Sequence, residues 1–263
     1  MSAAFWARNV DDLVALGYRV IAVDLLGWGR SQRPAFRGKT ADDVVEWYVP
    51  SLAGALQTMG LDKFVLVGHS LGAYLAMEYT KRNIARVTDL VLVSPAASTR
   101  EVSLKRAVYF SLPPQAIVRR GGLMGFAFFF MVYPRSESYI ADRLREYTYH
   151  LAAQGPASGE EAVRPIIRLR WGGKAECVRP LVEHLDRFDI PVRIIVGETD
   201  SSMPVESVHE LYREMKRKGF RVQIDVVKGA DHCPQIEKPE EFLQIVSELG
   251  APLKMRMRDV EKG

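Results

Sequence analysis

The chain has 263 residues, 48% apolar and 26% charged, enough apolar material for one large core. That composition excludes disordered, collagen-like and low-complexity classes. The formal net charge of +4 is spread among acidic residues and not gathered into a stripe, which speaks against a nucleic-acid binder. Cys177 and Cys233 make neither a disulfide framework nor a metal-ligand cluster, so a reducing compartment is expected. The longest apolar stretch, Leu123 to Tyr133, has 11 residues. A spanning helix needs roughly 20, so no transmembrane segment is predicted. The opening MSAAFWARNVDDL carries two acids and no long apolar run, and does not read as a signal peptide.

In chain order, Trp6, Val10, Leu13 and Leu16 recur at helical spacing and predict a helix over Ala3 to Leu16, closed by Gly17. Tyr18 to Leu25 is a short, β-branched apolar run and predicts a buried strand, followed by the glycine loop LLGWGRS. Thr40 can cap a helix reaching about Met59, with a kink at Pro50. A second strand, Lys63 to Gly68, leads into a helix over Leu71 to Asn83, and Asp89 to Val93 is a third. Pro191 to Gly197 and Arg221 to Val227 read as the last strands, with helices from Pro204 to Lys218 and from Pro239 to Leu249. Strands alternating with helices predict an α/β fold, a mostly parallel sheet with helices on both faces. From Ser98 to Asp189 the alternation stops and the segment reads as helices and loops. We therefore expect a core of residues 1–97 and 190–263 and a helical cap over 98–189, placed where open α/β sheets bind ligands.

Gly68-His69-Ser70-Leu71-Gly72 fits G-x-S-x-G and lies between a predicted strand and a predicted helix, the context of a nucleophile elbow. A tight strand-to-helix turn projects the Ser70 hydroxyl above the sheet, and flanking glycines relieve crowding there. A serine hydroxyl needs a base. His232, in GADH after the last strand, is the candidate, and Asp200, in GETD after the strand before it, can orient the imidazole. The plainer readings are a helix-capping serine, a loop histidine and a turn aspartate. Glu198 is the fallback acid. Asp89 and Asp225 lie in or at strands and are worse placed, and His150, His184 and His209 fall in predicted helices. His69 reads as a packing residue near the substrate. No His, Cys and acid spacing suits a metal, and no G-x-G-x-x-G suits a dinucleotide, so no cofactor is expected.

With DLLGWGRS, GHSLG, GETD and GADHCPQIEKPEEF in this order, the sequence resembles an α/β-hydrolase over most of its length outside the cap. LLGWGRSQRPAF is similar to the lipid-acting branch that includes N-acyl phosphatidylethanolamine lipase, the lipid-droplet lipase coactivator and fungal cardiolipin deacylases. That resemblance implies Ser70, Asp200 and His232 as a catalytic triad and the Leu71 amide as an oxyanion donor. The coactivator lacks the nucleophilic serine, whereas this chain keeps Ser70. Members associated with acyl transfer carry a histidine, four residues, then aspartate; here Glu237 stands at that place. The family opens with strands and a His-Gly loop that supplies a second oxyanion donor. This chain begins at the helix, so the expectation is an N-terminally shortened form in which the strands at Tyr18 and Lys63 pair directly or leave a gap.

The cap contains Phe126, Phe128, Phe129, Phe130, Met131 and Tyr133 in close succession. One reading is an apolar lid over an acyl-chain pocket, with Phe126, Phe129 and Phe130 touching substrate and a membrane or lipid-droplet surface within reach; the other is a packed cap helix. Between Ser98 and Asp189 there are 14 Lys/Arg against 10 Asp/Glu, an excess of +4 that suits anionic headgroups or a mixed solvated surface. The expected activity is cleavage of a carboxylic ester, a lipid ester before others, through an acyl-enzyme on Ser70. A lysophospholipid acyltransferase and an inert regulator of lipid metabolism are the alternatives. The expected location is the cytoplasm, with peripheral membrane contact left open, as is a mitochondrial location should a segment precede Met1.

Overall fold

The computed structural model describes residues 2–102, 107, 118–119, 121–122, 124–125, 127, 143, 146–147, 149–150, 155–170, 174–247 and 249. They form two compact units. One contains Trp6–Ile21, Leu52–Thr99 and Pro180–Gly263; the other contains Met1–Phe5, Ala22–Ser51 and Arg100–Arg179.

The first unit is built on a parallel sheet of four strands, Phe64–His69 (β1), Val87–Val93 (β2), Val192–Gly197 (here β6) and Val222–Val227 (β7). Three short strands, Glu101–Val102 (β3), Ile167–Arg170 (β4) and Lys174–Cys177 (β5), precede β6 in the chain and belong to the second unit. The parallel order is β1-β2-β6-β7. His69 lies level with Val93, and Gly197 with Val227, so the carboxyl ends of all four strands share one rim. Open parallel sheets bind ligands at that rim.

The helices, in chain order, are Val10–Ala15 (α1), Ala41–Thr58 (α2), Leu71–Arg82 (α3), Gly159–Ala162 (α4), Val205–Arg217 (α5), Pro234–Glu237 (α6) and Pro239–Ser247 (α7). Phe242 and Val246 of α7 pack with Val91, Val93, Ile195 and Val227, and Trp6, Leu13, Val65 and Val67 close the cluster. Fully burying a side chain of this kind contributes about 1.5–3 kcal/mol. Leu90 and Leu92 are fully buried, and α3 packs on β1 and β2. Alternation of apolar residues onto both faces is what a sheet covered on both sides requires. Among the described residues no helix is long and apolar enough to cross a membrane.

Three expectations are corrected. Ala3 to Leu16 is not one helix; a 3₁₀ turn, Ala3–Trp6, precedes α1, and Leu16 is 36% exposed, so the apolar stripe stops at Leu13. Tyr18 to Leu25 joins neither sheet. An apolar run becomes a strand only when a neighbour completes its ladder, and here the Tyr18 hydroxyl instead donates to the Leu249 carbonyl just beyond α7. Of the two outcomes foreseen, direct pairing with β1 is therefore absent. The segment 98–189 is not only helix and loop. Its β3, β5 and β4 make an antiparallel sheet in that order, and the Ile167-Arg168-Leu169-Arg170 alternation is the period-two signal that marks it. The helix expected from Thr40 is present: Thr40 Oγ1 accepts the Asp43 amide, and Asp43 Oδ2 accepts the Thr40 amide in return. It runs through Pro50 without interruption.

The two glycines of GHSLG are not equivalent. A Cβ on Gly68 would lie 2.3 Å from the Gly72 carbonyl oxygen and 2.7 Å from the Ala73 Cα, whereas one on Gly72 meets nothing within 4 Å. Gly68 lets α3 start against β1; Gly72 is only a glycine inside a helix. Gly68→Ala is expected to lower stability by about 1–3 kcal/mol. Gly72→Ala should raise it by up to about 1 kcal/mol through helix propensity. Urea denaturation of both variants, compared at constant m-value, checks the asymmetry.

Candidate active site

Ser70 joins β1 to α3 with φ 55° and ψ −118°, a left-handed backbone that a non-glycine residue adopts at a cost of about 1–3 kcal/mol. Its neighbours hold it there. The Ser70 amide donates to the Val93 carbonyl at 2.9 Å, and its own carbonyl accepts the amides of Ala73, Tyr74 and Ala96. Ser94 and Ala97, just past β2, also have positive φ, 43° and 54°. The Ser94 amide donates to Ile195 at 2.8 Å. The turns after β1 and β2 are thus locked together by backbone bonds. Leu71 is the first residue of α3, where an amide has no acceptor within the helix.

Asp200 follows β6 and His232 follows β7. A Cβ on Gly197 would lie 2.0 Å from the Asp231 carbonyl oxygen, so the two loops touch backbone to backbone at that glycine. The structure brings the three predicted side chains together. His232 Nε2 is 3.1 Å from Ser70 Oγ, and His232 Nδ1 is 3.1 Å from each Asp200 carboxylate oxygen. Asp200's side chain is fully buried, and its Oδ1 also accepts the amides of Ser202 and Met203 at 2.9 and 2.7 Å. Burial pushes this carboxyl up. The hydrogen bond and charge of His232 and the Met203 amide outweigh it and hold it below the ordinary carboxylate value. An anion fixed beside Nδ1 selects the tautomer with its proton there, leaving Nε2 to accept from Ser70.

His69 Nε2 lies 2.7 Å from the His232 carbonyl oxygen. Because a carbonyl only accepts, His69 Nε2 carries the proton. Burial, then the neighbouring His232, push the His69 imidazole down to about 3, so it is neutral at ordinary pH. Cys233 lies 3.9 Å from the same nitrogen, and burial raises its thiol to about 12, which keeps it protonated. Glu198, the fallback acid, accepts the Gly229 amide, and Asp225 makes a two-pronged pair with Arg193 on the neighbouring strand. Phe126, Phe129 and Phe130 lie outside the described residues. Among the described residues no group of His, Cys, Asp and Glu could hold a metal ion.

Sequence reasoning noticed Glu237 only as a departure from a motif. Its carboxylate accepts the Asp231 amide at 2.6 Å and the Cys233 amide at 3.0 Å, one on each side of His232. Part of the signal was present: Glu237, the last residue of the one-turn helix α6, reaches back to the amide of its cap residue Cys233, which is the logic of a capping box. The motif DLLGWGRS, in the second unit, has a local structural explanation. Asp24 accepts the amides of Ala3 and Arg30, and a Cβ on Gly29 would collide with its carboxylate at 2.2 Å. Trp28 Nε1 donates to Tyr48, whose hydroxyl donates to Gly159.

A model of the Alpha/beta hydrolase family matches residues 1–245. The chain is 32% identical to the 1-acylglycerol-3-phosphate O-acyltransferase ABHD5 of Homo sapiens, over 93% of this chain and 73% of that protein. It is 31% identical to the (Lyso)-N-acylphosphatidylethanolamine lipase of Homo sapiens, over 93% and 74%. Among solved structures, a thermophilic esterase from Thermogutta terrifontis shares the fold with a TM-score of 0.67 at 24% identity, covering 94% of this chain and 85% of that one. A serine at a strained strand-to-helix turn, the matching model and lipid-acting relatives lead to one conclusion: the chain belongs to the alpha/beta hydrolase family.

Proposed function

We propose that the protein is a serine hydrolase of carboxylic esters, with a lipid ester as substrate. The observation that carries this reading is the continuous hydrogen-bonded line from Ser70 Oγ through His232 to the buried Asp200. His232 Nε2 takes the Ser70 proton as Oγ adds to the ester carbonyl. Asp200 holds the imidazole and stabilises its charged form, and the Leu71 amide donates to the oxyanion. Collapse expels the alcohol, which takes its proton from His232. A water molecule, deprotonated by the same nitrogen, then releases the acid and restores Ser70. The lipid character is supported by the names of the two relatives.

A second reading, acyl transfer, is favoured by similarity to a protein named as a 1-acylglycerol-3-phosphate O-acyltransferase. It uses the same acyl-enzyme and differs only in whether water or a lysolipid hydroxyl takes the acyl group. Adding 1-acylglycerol-3-phosphate to turnover of a p-nitrophenyl ester separates the two. New diacyl product at the expense of free acid identifies transfer; unchanged acid release identifies hydrolysis.

A fluorophosphonate probe is expected to label the wild type and not Ser70→Ala. Full labelling of that variant would sink the hydrolase reading. Asp200→Asn should keep the fold and lower kcat by about 10³- to 10⁴-fold, because it favours the wrong imidazole tautomer.

Acid should weaken the fold around the site. His69 titrates at about 3 in the folded chain, below its ordinary 6.5. Between those values the unfolded chain binds a proton that the folded chain does not, so stability falls as pH drops from about 6.5 toward about 3. Asp200 adds to this at the acid end, since its stabilisation is present above its ordinary 3.8 and is lost as pH falls through its depressed folded value. Thermal melts from pH 8 down to pH 3 should show Tm declining, with a shallower decline in His69→Phe.

A further inference from the structure

We infer that Glu237 is a positioning residue for His232 and takes no part in acyl transfer, an inference that rests on the reading of His232 as the base. His232 sits in a loop between β7 and the short helix α6, with no regular secondary structure of its own. What fixes it is a set of bonds to its backbone. Glu237 Oε2 accepts the amide before it and Oε1 the amide after it. Both are charge-assisted bonds to neutral donors, stronger than ordinary ones. His69 Nε2 donates to the carbonyl of His232 itself, and the Asp231 carboxylate accepts the amide and hydroxyl of Ser201, next to Asp200. The peptide units around the imidazole are therefore held on three sides, and the Asp200 loop is tied to the same frame.

Glu237 supplies two of these restraints with one side chain. Without it the amides of Asp231 and Cys233 turn to water, while the ties of the loop to His69, Ser201 and Thr199 remain. A shift of about 1 Å in a reacting group can cost about 10²-fold in rate. The carboxylate is exposed, so its removal leaves no buried cavity. Each of its oxygens is engaged by the backbone of its own loop. The acid at this spacing from the histidine therefore braces the loop, whichever acceptor finally takes the acyl group.

The test uses the full chain, a p-nitrophenyl acyl ester as donor and 1-acylglycerol-3-phosphate as the added acceptor. Glu237→Ala is expected to lower kcat by about 10- to 100-fold with KM changed less than about 2-fold. Glu237→Gln, which keeps one accepting oxygen, should fall between it and wild type. The partition of acyl groups between acceptor and water should be the same in all three proteins. His232→Ala, run alongside, should abolish fluorophosphonate labelling. Wild-type kcat in Glu237→Ala, or a change in partition at unchanged total turnover, overturns the inference. Full labelling of His232→Ala instead removes the base on which it rests, so the two failures are told apart. Should Glu237→Ala fail to fold, the isosteric Glu237→Gln carries the same comparison.

Discussion

Ser70 is held in a backbone conformation that its own side chain disfavours, and the site depends on that constraint. At φ 55° the residue turns the chain from β1 into α3 within one step and leaves Oγ beyond the sheet edge. The cost, about 1–3 kcal/mol, is borne because four backbone hydrogen bonds, from Ser70 to Val93 and to Ser70 from Ala73, Tyr74 and Ala96, over-determine the turn. A close approach at Gly68, which leaves no room for a Cβ, fixes how near α3 comes to β1. The strain is thus distributed into the parallel sheet and the buried helix α3.

The two side chains that converge on Ser70 are placed by different means. Asp200 is buried and pinned by amides of its own loop, so its charge is fixed in position and only weakly screened by solvent. His232 lies on the loop between β7 and α6, where side chains grip its backbone. A neutral histidine grips one carbonyl and an acid grips two amides. This division has a physical basis. Burial works against the ionised carboxylate, and its amide donors and His232 offset that cost, whereas the imidazole keeps both ring nitrogens for side-chain partners. Its ring nitrogens are accordingly bonded to Ser70 and Asp200, while its main chain takes the structural load.

Much of this was legible from local patterns. The apolar runs from Lys63, Asp89, Pro191 and Arg221 became the four strands of the parallel sheet, because β-branched runs of that length have few alternatives once helices alternate with them. Ser70, Asp200 and His232 stood out because each follows such a run. The run at Tyr18 looked the same and is no strand, since pairing is a property of two segments and cannot be read from one. The β3-β5-β4 sheet was hidden for the converse reason: Lys174–Cys177 is polar and short, and only its neighbours make it a strand. The motif treated its glycines as a symmetric pair, yet steric demand falls on Gly68 alone.

The sequence by itself determined the α/β architecture of the described core, the identity of the three converging side chains and their order along the chain. Those follow from residue type and periodicity, which act over a few residues. Tertiary structure decided that the Tyr18 segment joins no sheet, that His69 spends its nitrogen on a carbonyl, and that Glu237 reaches the Asp231 amide beyond the start of its helix. Each of these depends on the distance between a side chain and a backbone group whose position is set by packing elsewhere, and no pattern in one dimension encodes such a distance.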